Sequence, residues 1–488
     1  MRRVTNDQSN FLRIVQRTER NIFLTGGAGT GKSYILQIAV QKLKSMKKNV
    51  VVVAPTGIAA RNINGNTMHS TFKLPLEVYC GEKKLKIPEV VRKADIIIID
   101  EISMCRIDTF SAVMDIINQV NKKTIRLIVC GDFYQLPPVV NNSRRQNGEL
   151  SDYDVLKKVY GNDVGHAYAF QSPKWAACNF QLCELKEIVR QSDVTFSATL
   201  NNIRRGIRIE QSITYLTNNM ATQKEDRMIT ICGRNDTANK INQKKLQELN
   251  KTQKTYRAKE DGIITNDDRS VPPILKLCPG ARVIICANGT DNDGKKYING
   301  QMGTVERCKK DSVEVILDDG GIVDIPYYEW SITRYGEEVD KDGNTVIVLN
   351  EIGRYRQIPL KLAYAISIHK SQGQTFEWAI IIPDVWECGQ LYTALSRVKS
   401  IDGLYIEGKI KPGQIMCAEE TEKYYRDNCT VDNDNAEKLC NSTDVEEIDE
   451  DSKEYVPVMV PVEYVEMVKK NLEECRVENY KDTAKSKK

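Results

Sequence analysis

The chain of 488 residues is 41% hydrophobic and 28% charged, which supplies apolar sequence for about three domains and excludes a fibre or a largely disordered chain. No stretch approaches the roughly 18 apolar residues that cross a bilayer, and no apolar run follows residues 1–3, so neither a membrane partner nor secretion is expected. The net charge of +4 is divided unevenly: residues 427–488 hold 17 Asp and Glu against 9 Lys and Arg, net −8, and residues 1–426 hold 49 against 61, net +12.

The first predicted elements flank a glycine-rich loop. Residues 21–25 predict a short buried strand, and residues 34–39 predict a helix. Between them the chain completes the pattern G-x-x-x-x-G-K-[ST] with Gly26, Gly27, Ala28, Gly29, Thr30, Gly31, Lys32 and Ser33. In such a loop the backbone amides converge on the β-phosphate, Lys32 can reach the β and γ oxygens, and Ser33 can hold Mg²⁺. The pattern indicates an ATPase, with a glycine-rich turn that binds nothing as the alternative.

Two further strands predict catalytic groups at their ends. Residues 96–99 are isoleucines followed by Asp100 and Glu101, so both carboxylates are expected at the C-terminal edge of a buried parallel sheet, beside the loop. Asp100 would bind Mg²⁺, and Glu101 would orient and deprotonate the attacking water. A helix cap is the alternative role for such a pair. The strand that ends near Cys130 places Gln135 where it can sense the γ-phosphate.

Apolar runs separated by helical segments predict an α/β fold with two parallel-sheet lobes that meet at a cleft. We assign residues 1–170 to the first lobe, and residues 171–287 and 357–426 to the second. The defining runs are residues 50–54, 96–100 and 127–131 in the first lobe, and residues 229–232, 283–286, 363–367, 379–383 and 404–407 in the second. Short alternating strands between turns predict a small β-barrel or sheet inserted at residues 288–356, and a lysine-rich insertion spans residues 72–93.

The end of the chain differs from the body. Residues 427–488 are polar and acidic; within them, residues 430–452 are expected to be disordered, and residues 462–475 show one apolar helical face that would pack on the body or bind a partner. The basic body suits nucleic-acid handling, and suits equally a solvated lysine-rich surface.

Cysteine usage indicates the compartment. The 14 cysteines include no C-x-x-C pair, and with only three histidines the spacing of a structural zinc site is absent. We therefore expect free thiols in a reducing intracellular compartment, either cytoplasm or nucleus.

Eight motifs in order over about residues 5 to 415 resemble the 5′-to-3′ superfamily 1B DNA helicases of the PIF type, relatives of RecD. They are the phosphate loop and residues 54–60, 67–70, 100–104, 131–138, 185–193, 369–375 and 392–398. The resemblance implies two RecA-like lobes, with residues 72–93 as a small wedge and residues 288–356 as an SH3-like domain. It also implies ATP and Mg²⁺ as cofactors, and single-stranded and forked DNA as partners of a monomer.

The resemblance assigns roles to single residues. Gln8 would read the adenine edge, with an ordinary surface glutamine as the alternative. Arg190 and Arg397 would reach the γ-phosphate from the second lobe, with structural ion pairs as the alternative, and Gly373 would contact the nucleotide. The residues expected at DNA are Pro55, Thr56, Thr67, His69, Ser70, His369, Lys370 and Ser371. For the two histidines among them, a hydrogen-bonded loop residue is the alternative.

The function expected from these observations is ATP-driven translocation on single-stranded DNA with separation of the duplex, in replication, repair or recombination. Two alternatives remain open at this point. One is a superfamily 1 helicase that acts on RNA, because selection against a 2′-hydroxyl is not visible in a sequence. The other is an ATP-gated DNA loader or recombination subunit that does not unwind by itself, in which the acidic tail docks a protein partner or covers the basic channel.

Overall fold

The structure, a computed structural model, describes residues 4–429 apart from residues 76, 82–84, 121–123, 143–149, 162–163, 190–192, 226, 266–267, 292–293 and 340–344. The predicted α/β class is confirmed, because two parallel sheets alternate with helices along the chain. The helices are α1 (Asn6–Arg17), α2 (Lys32–Ser45), α3 (Gly57–Asn62), α4 (Met68–Phe72), α5 (Glu89–Lys93), α6 (Ile107–Asn118), α7 (Asp152–Tyr160), α8 (Pro173–Ala177), α9 (Val194–Arg205), α10 (Ile209–Asn219), α11 (Asn235–Glu248), α12 (Ile368–Ser371), α13 (Gln390–Leu395) and α14 (Glu419–Cys429).

The first sheet has six strands, all parallel, in the order β3-β2-β4-β5-β1-β6. The strands are β1 (Ile22–Gly26), β2 (Val50–Ala54), β3 (Asn66–Thr67), β4 (Ile96–Ile99), β5 (Arg126–Cys130) and β6 (Gln181–Leu185). Every residue of β2 and β4 is buried. Helices cover both faces of a parallel sheet, so its inner strands require continuous apolar runs of this kind.

The predicted end of the first lobe at residue 170 is wrong. Strand β6 pairs with β1 in parallel from Ile22 opposite Gln181 to Gly26 opposite Leu185, so the first sheet continues to residue 185. Only two of its five residues are fully buried, because β6 lies at the edge of the sheet. The polar positions that result, Gln181 and Glu184, interrupt the apolar run by which the other strands were found.

The remaining strands form the second lobe and the inserted β structure. They are β7 (Ile229–Cys232), β8 (Lys254–Arg257), β9 (Lys259–Gly262), β10 (Ile274–Leu277), β11 (Arg282–Ile285), β12 (Gly289–Thr290), β13 (Lys296–Tyr297), β14 (Met302–Cys308), β15 (Ser312–Leu317), β16 (Ile322–Pro326), β17 (Tyr328–Val339), β18 (Thr345–Gln357), β19 (Leu360–Leu362), β20 (Ala365–Ser367), β21 (Ala379–Ile381) and β22 (Leu404–Ile406). The sheet of the second lobe is parallel, in the order β20-β7-β21-β22.

The sequence had suggested that the strand around residues 283–286 belongs to the second lobe. The structure shows that it does not. It is β11, and it pairs antiparallel with β14 and β19 in a five-stranded sheet ordered β16-β15-β14-β11-β19. The inserted β structure therefore runs from β8 to β19 and is larger than the predicted residues 288–356. A short buried apolar run looks the same in a parallel sheet and in the core of an antiparallel one, so composition alone could not separate the two.

A long hairpin connects the inserted β structure to the first lobe. Strands β17 and β18 pair from Tyr328 opposite Gln357 to Val339 opposite Thr345, and β18 also pairs with β9. The backbone of the hairpin approaches α4 and α5, which border the lysine-rich insertion. Residues 72–93 are described in part, since Lys83 and Lys84 lie outside the described residues.

The predictions for residues 430–488, including the disordered stretch and the helical face at 462–475, also lie outside the described residues. All the cysteines whose side chains are described are free thiols, as expected. In the described ranges, no helix combines the length and apolar character needed to cross a membrane.

Candidate nucleotide site and nucleic-acid cleft

The candidate site lies at the C-terminal edge of the first sheet. Because the six strands are parallel, the segments that follow them meet at this edge. The phosphate loop follows β1, Asp100 and Glu101 follow β4, and Gln135 follows β5. Thr56 follows β2 and Thr67 ends β3, so the candidate DNA residues of the first lobe share the edge with the candidate catalytic groups.

The phosphate loop requires glycine at two positions. The φ angles of Gly26 and Gly31 are +143° and +80°, in the region that L side chains rarely adopt. A Cβ at Gly26 would overlap the carbonyl oxygen of Leu185, and a Cβ at Gly31 would lie 2.7 Å from Nε2 of Gln8. Gly31 also caps the N-terminus of α2, where the helix dipole favours an anion. The loop thus has the tight backbone that a phosphate cradle needs.

Gln8 is part of this cradle. It is 2% exposed, which excludes the ordinary surface glutamine considered from the sequence. Its Nε2 donates to the carbonyl oxygen of Thr30 at 2.9 Å, and its Oε1 accepts the backbone N–H of Thr5 at 3.2 Å in a capping box. Gln8 therefore connects α1 to the phosphate loop, and its contact with adenine stays a prediction.

Lys32, Ser33 and Asp100 form the polar floor of the cradle. The ammonium of Lys32 donates to the carbonyl oxygens of Gly26 at 2.8 Å and of Gly27 at 3.1 Å. The hydroxyl of Ser33 donates to Oδ2 of Asp100 at 3.3 Å. Burial raises the pKa of Asp100. A hydroxyl and a carboxylate oxygen side by side are hard ligands of the kind that Mg²⁺ prefers, so these residues fit the ion that the sequence predicts.

Glu101 meets a group from the second lobe. Nε2 of Gln372 donates to its Oε2 at 2.9 Å, across 271 residues of chain. Burial and the neighbouring charge of Asp100 raise the pKa of Glu101 to about 7. A carboxylate with its pKa near neutrality is suited to accept a proton from water. Gln372 was not predicted; its buried Oε1 has no protein partner, so it can still accept a hydrogen bond near the candidate base.

Arg397 is buried, and its charge influences that of Glu101. It is 2% exposed; its Nε donates to the carbonyl oxygen of Thr393 at 2.9 Å and its Nη2 to the hydroxyl of Ser396 at 2.8 Å. Within the described residues no carboxylate forms an ion pair with it, and burial lowers its pKa. The structural ion pair is thus excluded in this part of the chain, and an unpaired buried guanidinium is favourable for a phosphate. Arg190 lies outside the described residues.

Gln135 belongs to a buried network that the motifs did not reveal. Its Nε2 is 3.4 Å from Oδ2 of Asp132, which pairs with the guanidinium of Arg204 at 2.8 Å through Oδ1. The hydroxyl of Tyr392 accepts the backbone N–H of Ala28 in the phosphate loop at 2.7 Å and donates to Asp132 at 3.4 Å. Arg204 carries no sequence signal, because it is an ordinary position of α9. The network joins the phosphate loop to α9 and α13.

The candidate DNA residues occupy loops and short helices of both lobes. Pro55, Thr56, Thr67, His69, Ser70 and His369 are partly exposed, and Lys370 is exposed. Burial lowers the pKa of His369. Ser371 differs from them: it is fully buried and its hydroxyl donates to the carbonyl oxygen of Ile368 at 2.7 Å. The hydroxyl closes the turn of α12, and the predicted DNA contact of Ser371 stays a prediction.

An open cleft connects these residues to the inserted β structure. Its wall includes Thr56 of the first lobe and Lys370 of the second. The β structure contributes Tyr328 and Trp330. Aromatic faces beside cations are the combination that stacks single-stranded bases and holds their phosphates. Gly373 also lines the cleft, where a Cβ would lie 2.7 Å from Nδ2 of Asn62, so this structure places it against α3 and its nucleotide contact stays a prediction.

Comparisons with known proteins agree with this geometry. A family model described as PIF1-like helicase matches residues 3–212. The ATP-dependent DNA helicase Pif1 of Campylobacter jejuni is 32% identical over 423 residues, which cover 79% of this chain and 88% of that protein. The crystal structure of Bacteroides sp Pif1 in complex with ADP-AlF4 matches with a TM-score of 0.74, at 30% identity, over 88% of this chain and 98% of that one. Bacteroides Pif1 bound to ssDNA matches with a TM-score of 0.62, also at 30% identity, over 89% and 99%.

The fold and the site define a phosphate-loop ATPase with two RecA-like lobes. Within that class, the chain belongs to the PIF1-like helicase family.

Proposed function

We propose that this protein is an ATP-dependent DNA helicase that moves 5′-to-3′ on single-stranded DNA and separates the duplex ahead of it. One observation carries the proposal: Gln372 and Arg397 from the second lobe and Glu101 from the first meet beside the phosphate loop. Its membership in a family of DNA helicases supports DNA as the substrate. The protein acts as a monomer on single-stranded and forked DNA in replication, repair or recombination.

ATP would be hydrolysed between the lobes. Lys32 binds the β and γ oxygens from the first lobe, and Arg397, together with Arg190, binds the γ-phosphate from the second. Glu101 accepts a proton from the attacking water, and Gln372 orients that carboxylate. Ser33 and Asp100 would hold Mg²⁺, which would neutralise charge on the phosphates.

The same contacts would convert hydrolysis into movement. Arg397 follows α13, and the hydroxyl of Tyr392 on α13 contacts the phosphate loop, so occupation of the loop alters the position of the second lobe. Thr56 and Lys370 grip the strand from different lobes. If ATP binds more tightly when the two lobes are closed together, its binding shifts the protein toward the closed conformation. Hydrolysis of ATP then reverses that shift. Alternating grip then gives one step per cycle.

The test measures ATP hydrolysis and strand separation on a duplex with a single-stranded tail at either the 5′ or the 3′ end. Wild-type protein should separate only the 5′-tailed duplex, and Lys32→Ala should abolish both activities. Matched RNA duplexes with the same tails belong to the assay. Separation of the RNA duplex at an equal rate would replace the DNA assignment, and DNA-stimulated hydrolysis without separation would identify a loader or a subunit of a larger machine.

A further inference from the structure

Two segments bring metal-binding side chains together outside the phosphate loop. His166 lies in the connection between β5 and β6 of the first lobe, and Glu387 and Cys388 lie between β21 and α13 of the second. Nε2 of His166 is 3.0 Å from Oε1 of Glu387. One ligand atom each from His166, Glu387 and Cys388 lies within 4.8 Å of the other two.

We propose that His166, Glu387 and Cys388 form a binding site for a divalent transition-metal ion, with zinc as the chemistry that fits best. An imidazole nitrogen, a carboxylate oxygen and a thiolate sulfur are the ligand types that zinc takes in proteins, and hard ions such as Mg²⁺ avoid sulfur. Ligand atoms at zinc bond lengths in a tetrahedron lie about 3.3 to 3.7 Å apart, so small side-chain rotations would complete the geometry from the separations observed.

Glu420 supplies an independent indication of metal ligation. Its Oε1 lies 2.6 Å from Nδ1 of His166, on the side of the ring opposite Nε2, and also accepts the backbone N–H of His166 at 3.0 Å. A metal-bound histidine commonly donates its second ring N–H to a carboxylate, which fixes the tautomer and aims the free nitrogen at the metal. Glu420 would thus orient His166 toward Glu387 and Cys388.

The carboxylates of the cluster favour a positive charge at its centre. Glu387 and Glu420 contribute two carboxylates around a single imidazole. A protonated His166 between these carboxylates would form ion pairs instead of binding a metal, so a proton on the ring is the competitor that a metal must displace. An ion pair between the lobes is therefore the rival interpretation, and it makes a different prediction about metal binding.

The location indicates a structural ion. Cys388 immediately precedes Gly389, the N-cap of α13, and Arg397 follows that helix. Glu420 lies in the first turn of α14. An ion held by His166, Glu387 and Cys388 would link the β5–β6 connection of the first lobe to the N-terminus of α13. Arg397 follows that helix. The ion would restrict how far the lobes separate without contacting ATP.

The experiment uses the full chain after treatment with a chelator, without nucleotide. Cobalt(II) is added as a spectroscopic substitute for zinc, because a thiolate ligand gives cobalt an intense charge-transfer absorption. We expect one equivalent to bind with that absorption in the wild type, and loss of the absorption in Cys388→Ser and in His166→Gln. The matched control is Cys130→Ser, which removes the thiol hydrogen bonded to Asp100 and should leave the absorption unchanged.

Zinc titrations of the same proteins add a second measurement. The wild type and Cys130→Ser should gain thermal stability on addition of zinc, and Cys388→Ser should gain none. No thiolate absorption in the wild type, or an absorption that persists in Cys388→Ser, would overturn the proposal and leave His166 in an ion pair. Absence of the absorption in the wild type overturns the proposal whether or not a variant folds, and His166→Gln tests the same site independently of Cys388→Ser.

Discussion

Glu101 is the residue on which hydrolysis should depend most. It has a left-handed backbone conformation, with φ of 51°, directly after the isoleucine strand, and it is held by Gln372. Burial and the charge of Asp100 raise the pKa of Glu101, and the charge of Lys32 opposes them. A residue fixed in a conformation that few side chains adopt is held there by its surroundings, which favours a functional role.

Glu101→Gln should keep ATP and DNA binding and lose turnover. The amide has nearly the shape of the carboxylate but cannot take the proton, so kcat should fall by about 10²- to 10⁴-fold with little change in nucleotide affinity. Steady-state hydrolysis and equilibrium nucleotide binding measure the two effects. Glu19→Gln, on the exposed surface, is the matched control. Normal hydrolysis by Glu101→Gln would remove Glu101 from the role of base.

Arg204 and Arg205 are adjacent in α9 but differ in their surroundings. Arg204 is 7% exposed and pairs with the fully buried Asp132, whereas Arg205 is half exposed and lies 3.6 Å from Glu422. Burial opposes ionisation of Asp132, but the charges of Arg204 and Lys32 and the hydrogen bonds to the carboxylate together lower its pKa. The pair is therefore ionised in the folded protein.

Arg204→Leu should destabilise the protein by about 3 to 5 kcal/mol, because it leaves the charge of Asp132 buried and unpaired. Arg205→Leu should cost less than about 1 kcal/mol, as is typical of exposed pairs. Denaturant unfolding of both variants compares them directly. The double variant Asp132→Asn with Arg204→Leu should recover part of the loss. Equal losses for the two arginines would show that the buried pair does not stabilise the fold.

Helix α13 contacts the phosphate loop through one hydroxyl. Tyr392 is 4% exposed, and its hydroxyl is the acceptor for the backbone N–H of Ala28. In a phosphate loop the backbone amides also serve the nucleotide phosphates. Helix α13, which precedes Arg397, is therefore hydrogen bonded to the phosphate loop.

Tyr392→Phe should lower stability by about 1 to 3 kcal/mol, because the buried N–H of Ala28 loses its acceptor. The loss should be smaller when a non-hydrolysable ATP analogue is bound, since a phosphate oxygen can accept from the same loop. Thermal unfolding with and without the analogue separates the two cases. Tyr405→Phe, in β22, is the control and should change neither value. An equal loss in both conditions would mean that Ala28 does not face the nucleotide.

The whole molecule combines a basic body with an acidic end. Residues 430–488 hold 16 Asp and Glu against 9 Lys and Arg, net −7, and residues 1–426 carry net +12. Opposite charges of this size attract over about 10 Å at moderate ionic strength. The acidic end can therefore compete with DNA for the basic surface.

Removal of residues 430–488, which leaves α14 intact, should strengthen DNA binding at low salt, and the gain should disappear at high salt as screening increases. Fluorescence anisotropy with a single-stranded oligonucleotide at several salt concentrations measures it. A full-length variant with the acids of this segment changed to amides separates charge from length and should behave like the truncation. Unchanged affinity in both would exclude competition by the tail.

Local chemistry allowed much of the site to be predicted from the sequence. The phosphate loop, Asp100 and Glu101 are continuous segments, and each follows an apolar run that, together with the helical segments between the runs, predicts an inner strand of a parallel sheet. The parallel arrangement then requires that they share one edge. The α/β class and the family follow from the same segments.

Contacts between distant segments were decided only by the tertiary structure. Residue patterns could not show that Gln181–Leu185 is an edge strand of the first sheet, that Arg282–Ile285 pairs antiparallel, or that Ser371 is buried. The same holds for the pairing of Asp132 with Arg204 and for the cluster around His166, whose ligands lie more than 200 residues apart. A sequence gives the chemistry of each side chain and the spacing of apolar residues along the chain. Only the folded chain determines which side chains come close enough to form hydrogen bonds or ion pairs.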